Sequence, residues 1–394
     1  MNLVEIHIIQ NVAPSNLNRD DTGSPKDAFF GGVRRARLSS QSQKRAVRDY
    51  FKATLSHGTL QPDDLALRTK RLVDELTDRL EVQGHSRDEA RRVAKAALGG
   101  MGLAVDDREL TQYLLFMGRR EISRLADIIH GHWQVLTEVA ASSEAGDGQA
   151  KAKKKAAKAA VPSDLHKALE TILDGGKAVD LALFGRMLAD EPKWSIDAAA
   201  QVAHALSTHQ VDREFDFYTA VDDLNPKEET GAGMMGDVEF YSACLYRYAN
   251  VDLGQLVQSL QGDRELAAKG VEAFLRGFTL TLPSGKQNSF AAHNLPGFVA
   301  LVTSEAAAPR NLAGAFEKPV RARDRRSLSG LSVEALLSTW ETLDRAYGRA
   351  RRQWVALLNL TDATVSYHGE HVKPSFDEAL TAAMDGVRTL LEVK

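Results

Sequence analysis

Residues 31–48 read GGVRRARLSSQSQKRAVR, which combines two glycines, a basic loop and the start of a helix. Residues 34–52 carry seven basic side chains against one acid. Ser40 followed three residues later by Gln43 is a capping-box pattern, which predicts a helix that begins at about Gln41. Because the 394-residue chain has a formal net charge of -3, this local excess of positive charge indicates an anionic partner.

The chemistry of this stretch favours phosphate. Most of its basic residues are arginines, whose guanidinium groups fork onto phosphate oxygens. Backbone N–H groups at Gly31, Gly32 and the helix N-terminus at 39–43, together with serine and glutamine side chains, are further donors. We assign Arg34 and Arg35 to this surface, and keep a merely solvated charged face as the alternative.

Outward from this stretch, the patterns predict an α+β fold. Residues 3–10 alternate apolar and polar side chains, which is typical of a half-buried strand. From about 60 to 180 the periodicity is helical, and the last 60 residues also read as helices. Two strand-like arms flank a turn-rich tip: VDREFDFYTAVDDL (211–224) and DVEFYSACLYRYANVDL (237–253). Two further segments also read as strands: SFAAHN (289–294) and GFVALVTS (297–304).

Composition excludes several classes of protein. The single cysteine, Cys244, allows neither an internal disulfide nor a cysteine-based zinc site, and we predict that it is a packed small hydrophobe. No apolar run is long enough to cross a membrane and no signal peptide is recognisable, so we predict a cytoplasmic protein without membrane contact. GAGMMG (231–236) lies in the predicted hairpin tip, not between a strand and a helix, so we predict no dinucleotide cofactor.

Other candidate sites carry weaker signals. Neither histidine pair has the i, i+4 spacing of a metal site: His130 with His132, and His204 with His209. Aspartates cluster in two loops and could hold magnesium for phosphodiester cleavage, or be solvated charge: Asp20, Asp21, Asp27, Asp212, Asp216, Asp222 and Asp223. A lysine tract would be either a cationic ridge on a helix or a solvated linker: Lys151, Lys153, Lys154, Lys155 and Lys158.

Several segments, in order along the chain, together resemble the CasC backbone subunit of the type I-E CRISPR Cascade complex, from the CRISPR-associated protein seven family. They are SNLNRDD (15–21), KDAFFGGVRRARLSSQSQKRAVR (26–48), LFGRM (183–187), AHALSTHQVD (203–212), FYTAVDDL (217–224), EFYSACLYRYANVDL (239–253), GKQNSFAAHN (285–294) and AFEKPV (315–320). The resemblance spans nearly the whole chain, and between about 56 and 180 it is limited to helical character and the lysine tract.

The resemblance implies a non-catalytic RNA-binding protein with no cofactor or metal. It implies a modified RRM (ferredoxin-like) palm at 1–58 and 188–394, a helical fingers insertion at 59–187, and a thumb hairpin at 207–240. Copies would stack head to tail along a CRISPR guide RNA and present it to target DNA. The other implied partners are the large, small, guide-capping and repeat-processing Cascade subunits and a separate recruited nuclease-helicase.

The resemblance also implies roles for individual residues. The predicted guide-phosphate contacts are Arg19, Lys26, Ser39, Gln41, Lys44, Arg45 and Arg48. Met187 falls on a wedge position against a displaced nucleotide, and the thumb positions that cover the RNA are Phe217, Tyr218, Thr219 and Val221. The lysine tract at 151–158 falls on finger lysines that help to hold target DNA.

Two other functions remain open from the sequence. One is an RNA-cleaving backbone subunit, as in type III relatives, in which a loop acid such as Asp27 acts near the scissile phosphate. The other is a general single-strand binder, which would load on any RNA without CRISPR repeats or partner subunits.

Overall fold

The computed structural model describes residues 1–56, 58–144, 162, 165, 167–168, 171–188, 192–220, 234–323 and 325–392. Its strands are β1 (Leu3–Ser15), β2 (Asp27–Phe30), β3 (Val33–Leu38), β4 (Ala66–Thr69), β5 (Leu115–Gly118), β6 (Ala200–Val202), β7 (Ala205–Ser207), β8 (Glu214–Ala220), β9 (Met234–Asp252), β10 (Phe298–Ser304) and β11 (Gln353–Asn359). Its helices are α1 (Ser40–Ala53), α2 (Leu72–Val82), α3 (Arg87–Gly100), α4 (Arg119–Gly131), α5 (Trp133–Glu144), α6 (Val179–Phe184), α7 (Leu253–Ser259), α8 (Arg264–Leu280), α9 (Gln287–Phe290), α10 (Leu328–Tyr347) and α11 (Phe376–Leu391).

The chain divides into two compact units. The first contains Met1–Thr59, Ala200–Gly254 and Ala268–Lys394, and the second contains Leu60–Ala199 and Gln255–Ala267. The second unit holds the helical segment that the sequence predicts, and it extends to residue 199, beyond the predicted fingers boundary at 187. The division into palm, fingers and thumb stays a prediction.

An antiparallel sheet organises the first unit. Its strands lie in the order β11-β10-β1-β9-β7-β3-β2, and β6 and β8 also pair with β9. The register places Ile6 opposite Ala249 of β9 and Leu301 of β10, so β1 has partners on both sides. Helices α10 and α11 contact this sheet at β1, β10 and β11. The predicted α+β class is confirmed.

Strand β1 is buried on both faces, so the prediction of a half-buried strand was wrong. Glu5 is 5% exposed and His7 is 1% exposed, although both are polar. Tyrosine hydroxyl groups form hydrogen bonds with both side chains: Tyr248 donates to Glu5 Oε1 at 2.6 Å, and His7 Nδ1 lies 2.9 Å from the Tyr246 hydroxyl. Burial lowers the pKa of His7 to about 3, so its ring is neutral at neutral pH.

Helix α1 packs closely on α8. Its buried side chains are Gln43, Val47 and Phe51, at the spacing of one helix face. A Cβ atom on Gly277 of α8 would lie 3.0 Å from the Tyr50 ring and 3.2 Å from a Val47 methyl group. Glycine at this position therefore allows the two helices to approach, while Arg45 on another side of α1 stays exposed.

The second unit has its own apolar core. Apolar side chains from α2, α3, α4 and α5 form one cluster that also contains Trp194. Strands β4 and β5 form a separate antiparallel pair in which Ala66 lies opposite Gly118. Each strand has four residues, and helical periodicity on either side conceals segments of that length. No helix in the described ranges is long and apolar enough to cross a membrane.

Two other predictions were wrong in detail. SFAAHN is not a strand, because the short helix α9 ends at Phe290 and an irregular segment follows it. The last 60 residues are not all helical, since β11 lies between α10 and α11. Hydrogen bonds to β10, not local periodicity, define β11.

Candidate nucleic-acid interface

Helix α1 begins at Ser40, and its N-cap is Ser39, not the predicted Ser40. The Ser39 hydroxyl accepts a hydrogen bond from the Ser42 N–H at 3.2 Å. The Ser39 N–H donates to Asn18 Oδ1 at 2.8 Å, and the Ser40 N–H donates to His204 Nδ1 at 3.2 Å. Three backbone donors that the sequence offers to a phosphate thus have partners within the chain, so anion binding here must depend chiefly on side chains.

The basic side chains of α1 differ in accessibility. Arg45 is the most exposed of them: 80% of its side chain is accessible, and within the described ranges its one ion pair is a long one, 3.7 Å to Asp49. Such exposed pairs contribute little to stability, so Arg45 can turn to another anion at low cost. Lys44 and Arg48 are half-buried, and partial burial lowers the pKa of Lys44.

An open groove of about 650 Å³ joins α1 to the first loop. Arg19 and Arg45 both line it, together with Ser42 and the segment 281–285. Asp20 shapes the loop by accepting hydrogen bonds from the backbone N–H groups of Thr22 and Ser24, at 2.9 and 3.0 Å. The structure therefore brings a predicted contact of the loop and one of the helix to the same groove.

Lys26 lies beside this groove, where its backbone connects the first loop to β3. Its N–H donates to the Asn18 carbonyl at 2.8 Å, and its own carbonyl accepts from the Arg37 N–H at 3.0 Å. The side chain of Lys26 is partly exposed, and Arg19 is exposed. Arg37 was not among the predicted contacts, and its Nε atom donates to the Asp27 carbonyl at 3.1 Å.

Arg34 and Arg35 follow each other on β3 and have different environments. The Arg34 side chain is 40% exposed, forms an ion pair with Asp27 and stacks over the exposed ring of Phe29. Arg35 is fully buried, and its guanidinium donates to the carbonyls of Phe30, Ser207, Phe316 and Glu317. Arg35 has no accessible donor for a phosphate, so we correct its assignment from RNA contact to structural residue.

The carboxylate of Asp27 is shared by two arginines. Arg213 Nη2 lies 2.8 Å from Asp27 Oδ2, and Arg213 Nη1 also pairs with Glu239 at 2.9 Å. Partial burial alone would raise the pKa of Asp27, but hydrogen bonds from Arg34 and Arg213 lower it. Asp27, the first residue of β2, therefore links the open end of the β2–β3 pair, away from the Gly31–Gly32 turn, to the base of the β8–β9 hairpin.

Gly31 fixes this turn, and we expect Gly31→Ala to destabilise the first unit more than Gly32→Ala does. Both glycines have positive φ, 59° and 78°, where an alanine costs roughly 1–2 kcal/mol. A Cβ on Gly31 would also lie 1.7 Å from the Glu317 carbonyl oxygen, whereas a Cβ on Gly32 would meet no atom within 4 Å. Urea unfolding of the two variants measures the difference, and equal losses of stability would contradict this account of the turn.

The β8–β9 hairpin presents predicted thumb residues to solvent. Every residue of β8 is exposed, and Phe217 and Tyr218 are 66% and 39% exposed. Tyr218 lies opposite Gly236, where a Cβ would come within 2.6 Å of the tyrosine hydroxyl oxygen. Thr219 also lies on β8, while Val221 lies outside the described residues, as do Lys151, Lys153, Lys154, Lys155 and Lys158.

Met187 belongs to the second unit and is 87% exposed. The preceding residue, Arg186, is 4% exposed and pairs with fully buried Glu121 at 3.0 Å. Arg186 also donates to the carbonyls of Phe116, Leu173 and Trp194. One buried arginine thus anchors the short segment from which the methionine projects.

The remaining candidates fit structural roles. Cys244 is buried, and burial raises the pKa of its thiol, as expected for a packed side chain. His209 Nε2 accepts from the Cys244 N–H at 3.1 Å, and His130 lies 2.8 Å from His85. Among the described residues, no cluster of histidine, cysteine and acid side chains could hold a metal ion.

Sequence reasoning missed two residues at this surface. His204 caps the N-terminus of α1, and Arg213 holds Asp27. Both lie more than 160 residues from their partners, so neither spacing nor periodicity could have indicated the contacts. The sequence offered His204 only as a member of a histidine pair and of the segment AHALSTHQVD, and Arg213 only as a member of the strand-like arm 211–224.

The chain is similar to known proteins over nearly its whole length. A family model described as CT1975-like protein matches residues 4–382, and the chain belongs to this family. In solved structures, the chain is 32% identical to a chain of a CRISPR RNA-guided surveillance complex, pre-nicking, with a TM-score of 0.80 over 98% of this chain and 100% of that chain. It is 27% identical to a chain of another CRISPR RNA-guided surveillance complex, with a TM-score of 0.71 over 97% and 99% of the two chains. A search of curated proteins gave no match.

Proposed function

We propose that this protein is the guide-RNA-binding backbone subunit of a CRISPR surveillance complex of type I-E. The family membership and the full-length similarity to chains of two CRISPR RNA-guided surveillance complexes support the class of complex. The type I-E assignment depends on the resemblance of the quoted motifs to CasC. Copies of the chain stack head to tail along the guide, and such non-closing contacts generate a helical filament.

The accessible basic surface is the observation that carries this proposal. Arg19 and Arg45 line one groove, and Lys26 and Arg34 lie on the adjoining loop and strand. A guide must be bound whatever its spacer sequence, so contacts to phosphate and sugar suffice and the base edges stay free for pairing. We keep Ser39, Gln41, Lys44 and Arg48 in the contact set, with Met187 against the displaced nucleotide and the described thumb residues covering the RNA.

The sheet is the wrong surface for base stacking. An RRM presents aromatic side chains on its open sheet face. Here Tyr246 and Tyr248 of β9 are 3% and 4% exposed and pack in the core with Trp340. This burial supports binding at the loop and helix instead.

We propose a modified RRM (ferredoxin-like) palm for the first unit. Following the chain, β1 leads to α1, then to β7, β9, α8 and β10. The order β10-β1-β9-β7 in space, with every neighbour antiparallel, supports this topology. The fingers and thumb correspond in this proposal to the helical unit and to the β8–β9 hairpin.

We propose that the subunit has no catalytic role. RNA cleavage by a loop acid would require an available carboxylate, whereas Asp27 Oδ2 is bound by Arg34 and Arg213. These contacts support a role for Asp27 in holding the base of the hairpin. The proposed partners are the target DNA, the other Cascade subunits and a recruited nuclease-helicase, in the cytoplasm.

Co-expression with the neighbouring genes tests the proposed function. Purification of the tagged chain at moderate salt should yield one discrete RNA of spacer-plus-repeat length, with several copies of the chain per RNA. Incubation of this complex with complementary RNA and magnesium should leave that RNA intact. Heterogeneous RNA would indicate a general binder, and products at regular spacing that vanish in Asp27→Ala would contradict the non-catalytic assignment.

A further inference from the structure

We propose that the imidazole of His204 is a guide-phosphate ligand, through an Nε2–H donor. This inference deepens the proposed function and depends on it. His204 lies in the two-residue link between β6 and β7, beside the N-terminus of α1. The role follows from the backbone, the tautomer and the charges around this residue.

The backbone of the link is held on both sides. The Ala203 N–H donates to the Tyr248 carbonyl at 3.0 Å, and the Ala203 carbonyl accepts from Gln43 Nε2 at 3.0 Å. Gln43 is itself buried, and its Oε1 atom accepts from the Nε atom of Arg247 at 3.2 Å. His204 therefore extends from a fixed point next to the helix that carries the predicted phosphate contacts.

The contact with α1 sets the tautomer of the ring. A backbone N–H can only donate, so the Ser40 N–H at 3.2 Å requires Nδ1 of His204 to be the acceptor. In a neutral imidazole the other nitrogen then carries the proton. Nε2 is therefore a hydrogen-bond donor, and it has no hydrogen-bond partner in the described part of the chain.

The surroundings of the ring are positive. His204 is exposed. The surrounding chain nevertheless removes part of the water around its ring, which lowers its pKa, and the nearby charges of Arg37 and Lys26 lower it further. Lys26 is a predicted phosphate contact, and Ser40 lies between two others, Ser39 and Gln41. A neutral donor here adds a hydrogen bond to an oxygen that cations already attract, without adding to their mutual repulsion.

Two isosteric substitutions separate the donor from the capping acceptor. His204→Asn places an amide oxygen near the position of Nδ1 and has no group at the position of Nε2. His204→Gln places an amide nitrogen near the position of Nε2 and leaves the Ser40 N–H without its acceptor. If His204 is a phosphate ligand, His204→Asn should bind RNA more weakly than His204→Gln. If His204 only caps α1, His204→Gln should bind RNA more weakly than His204→Asn.

Fluorescence anisotropy with a fluorescein-labelled, guide-length single-stranded RNA tests this proposal on the full chain at fixed salt. We expect His204→Asn to weaken binding about tenfold, the size of one hydrogen bond to a charged group, and His204→Gln to stay within about threefold of the unaltered protein. Thermal unfolding should show the reverse order, with His204→Gln the less stable variant.

The control is the triple variant with alanine at Lys44, Arg45 and Arg48. If that variant binds weakly while His204→Asn binds like the unaltered protein, the role of His204 is overturned and the proposed function stands. Equal weakening in His204→Asn and His204→Gln would also overturn it, because a structural role would then suffice. Unchanged RNA binding in the triple variant would instead overturn the proposed function.

Discussion

Replacing Lys44, Arg45 and Arg48 together with alanine is expected to reduce guide-RNA affinity steeply and to flatten its salt dependence. Each phosphate of a single strand that no longer has a cationic partner removes roughly 0.7 from the slope of log affinity against log salt, so three such phosphates remove about 2. In the proposed filament, this effect would repeat at every copy along the guide. Titration of a labelled guide-length RNA at several salt concentrations measures both quantities.

A charge-matched control distinguishes the loss of a local binding surface from a change in the overall charge of the protein. Lys269, Arg345 and Arg388 are exposed on other helices of the first unit, and their replacement with alanine removes the same formal charge. We expect this control to keep the slope and most of the affinity. Equal effects of the two triple variants would contradict a binding surface on α1. Because Lys44 and Arg48 are half-buried, unfolding curves must accompany the binding data.

Replacing Arg186 with methionine is expected to destabilise the second unit by about 3–5 kcal/mol. The change leaves the Glu121 carboxylate, which is fully buried, without its cation. It also removes the donors to the carbonyls of Phe116, Leu173 and Trp194. Urea unfolding followed by tryptophan fluorescence reports the loss, since Trp194 lies in the same core.

Two companion variants test whether loss of the buried ion pair causes the loss of stability. Glu121 accepts from the N–H groups of Gly118 and Gly175 at 2.7 and 2.6 Å, and glutamine can keep one acceptor there without the charge. The double variant Arg186→Met with Glu121→Gln should therefore recover part of the stability. Met187→Ala, at an exposed position, should change stability by less than about 0.5 kcal/mol, and it should weaken the contact that we propose with the displaced nucleotide. A stable Arg186→Met single variant would contradict the role of this ion pair.

Local patterns predicted the elements that depend on neighbouring residues. Helix α1 begins within one residue of the predicted start, because capping and side-chain periodicity act over a few residues. The arms of the hairpin, β8 and β9, were likewise recognisable from strand-like composition. The strand β11 and the pair β4–β5 were missed, because distant hydrogen bonds define them.

At the candidate site, too, the sequence predicted some features and missed others. The sequence predicted a concentration of positive charge and a resemblance to guide-binding proteins, and Arg19, Lys26 and Arg45 are accessible in the structure. It did not predict that Arg35 is enclosed by carbonyls, or that His204 and Arg213 come to the surface from distant segments.

By itself, the sequence determined where charge is concentrated, where α1 begins and which segments form the hairpin, because these properties depend on contacts within a few residues. Only the tertiary structure decided which basic side chains are available to a ligand. Arg34 and Arg35 are chemically identical neighbours, and strand geometry directs them to opposite faces. Packing of Ser207 and Phe316 against one face buries Arg35, while Arg34 remains 40% exposed on the other.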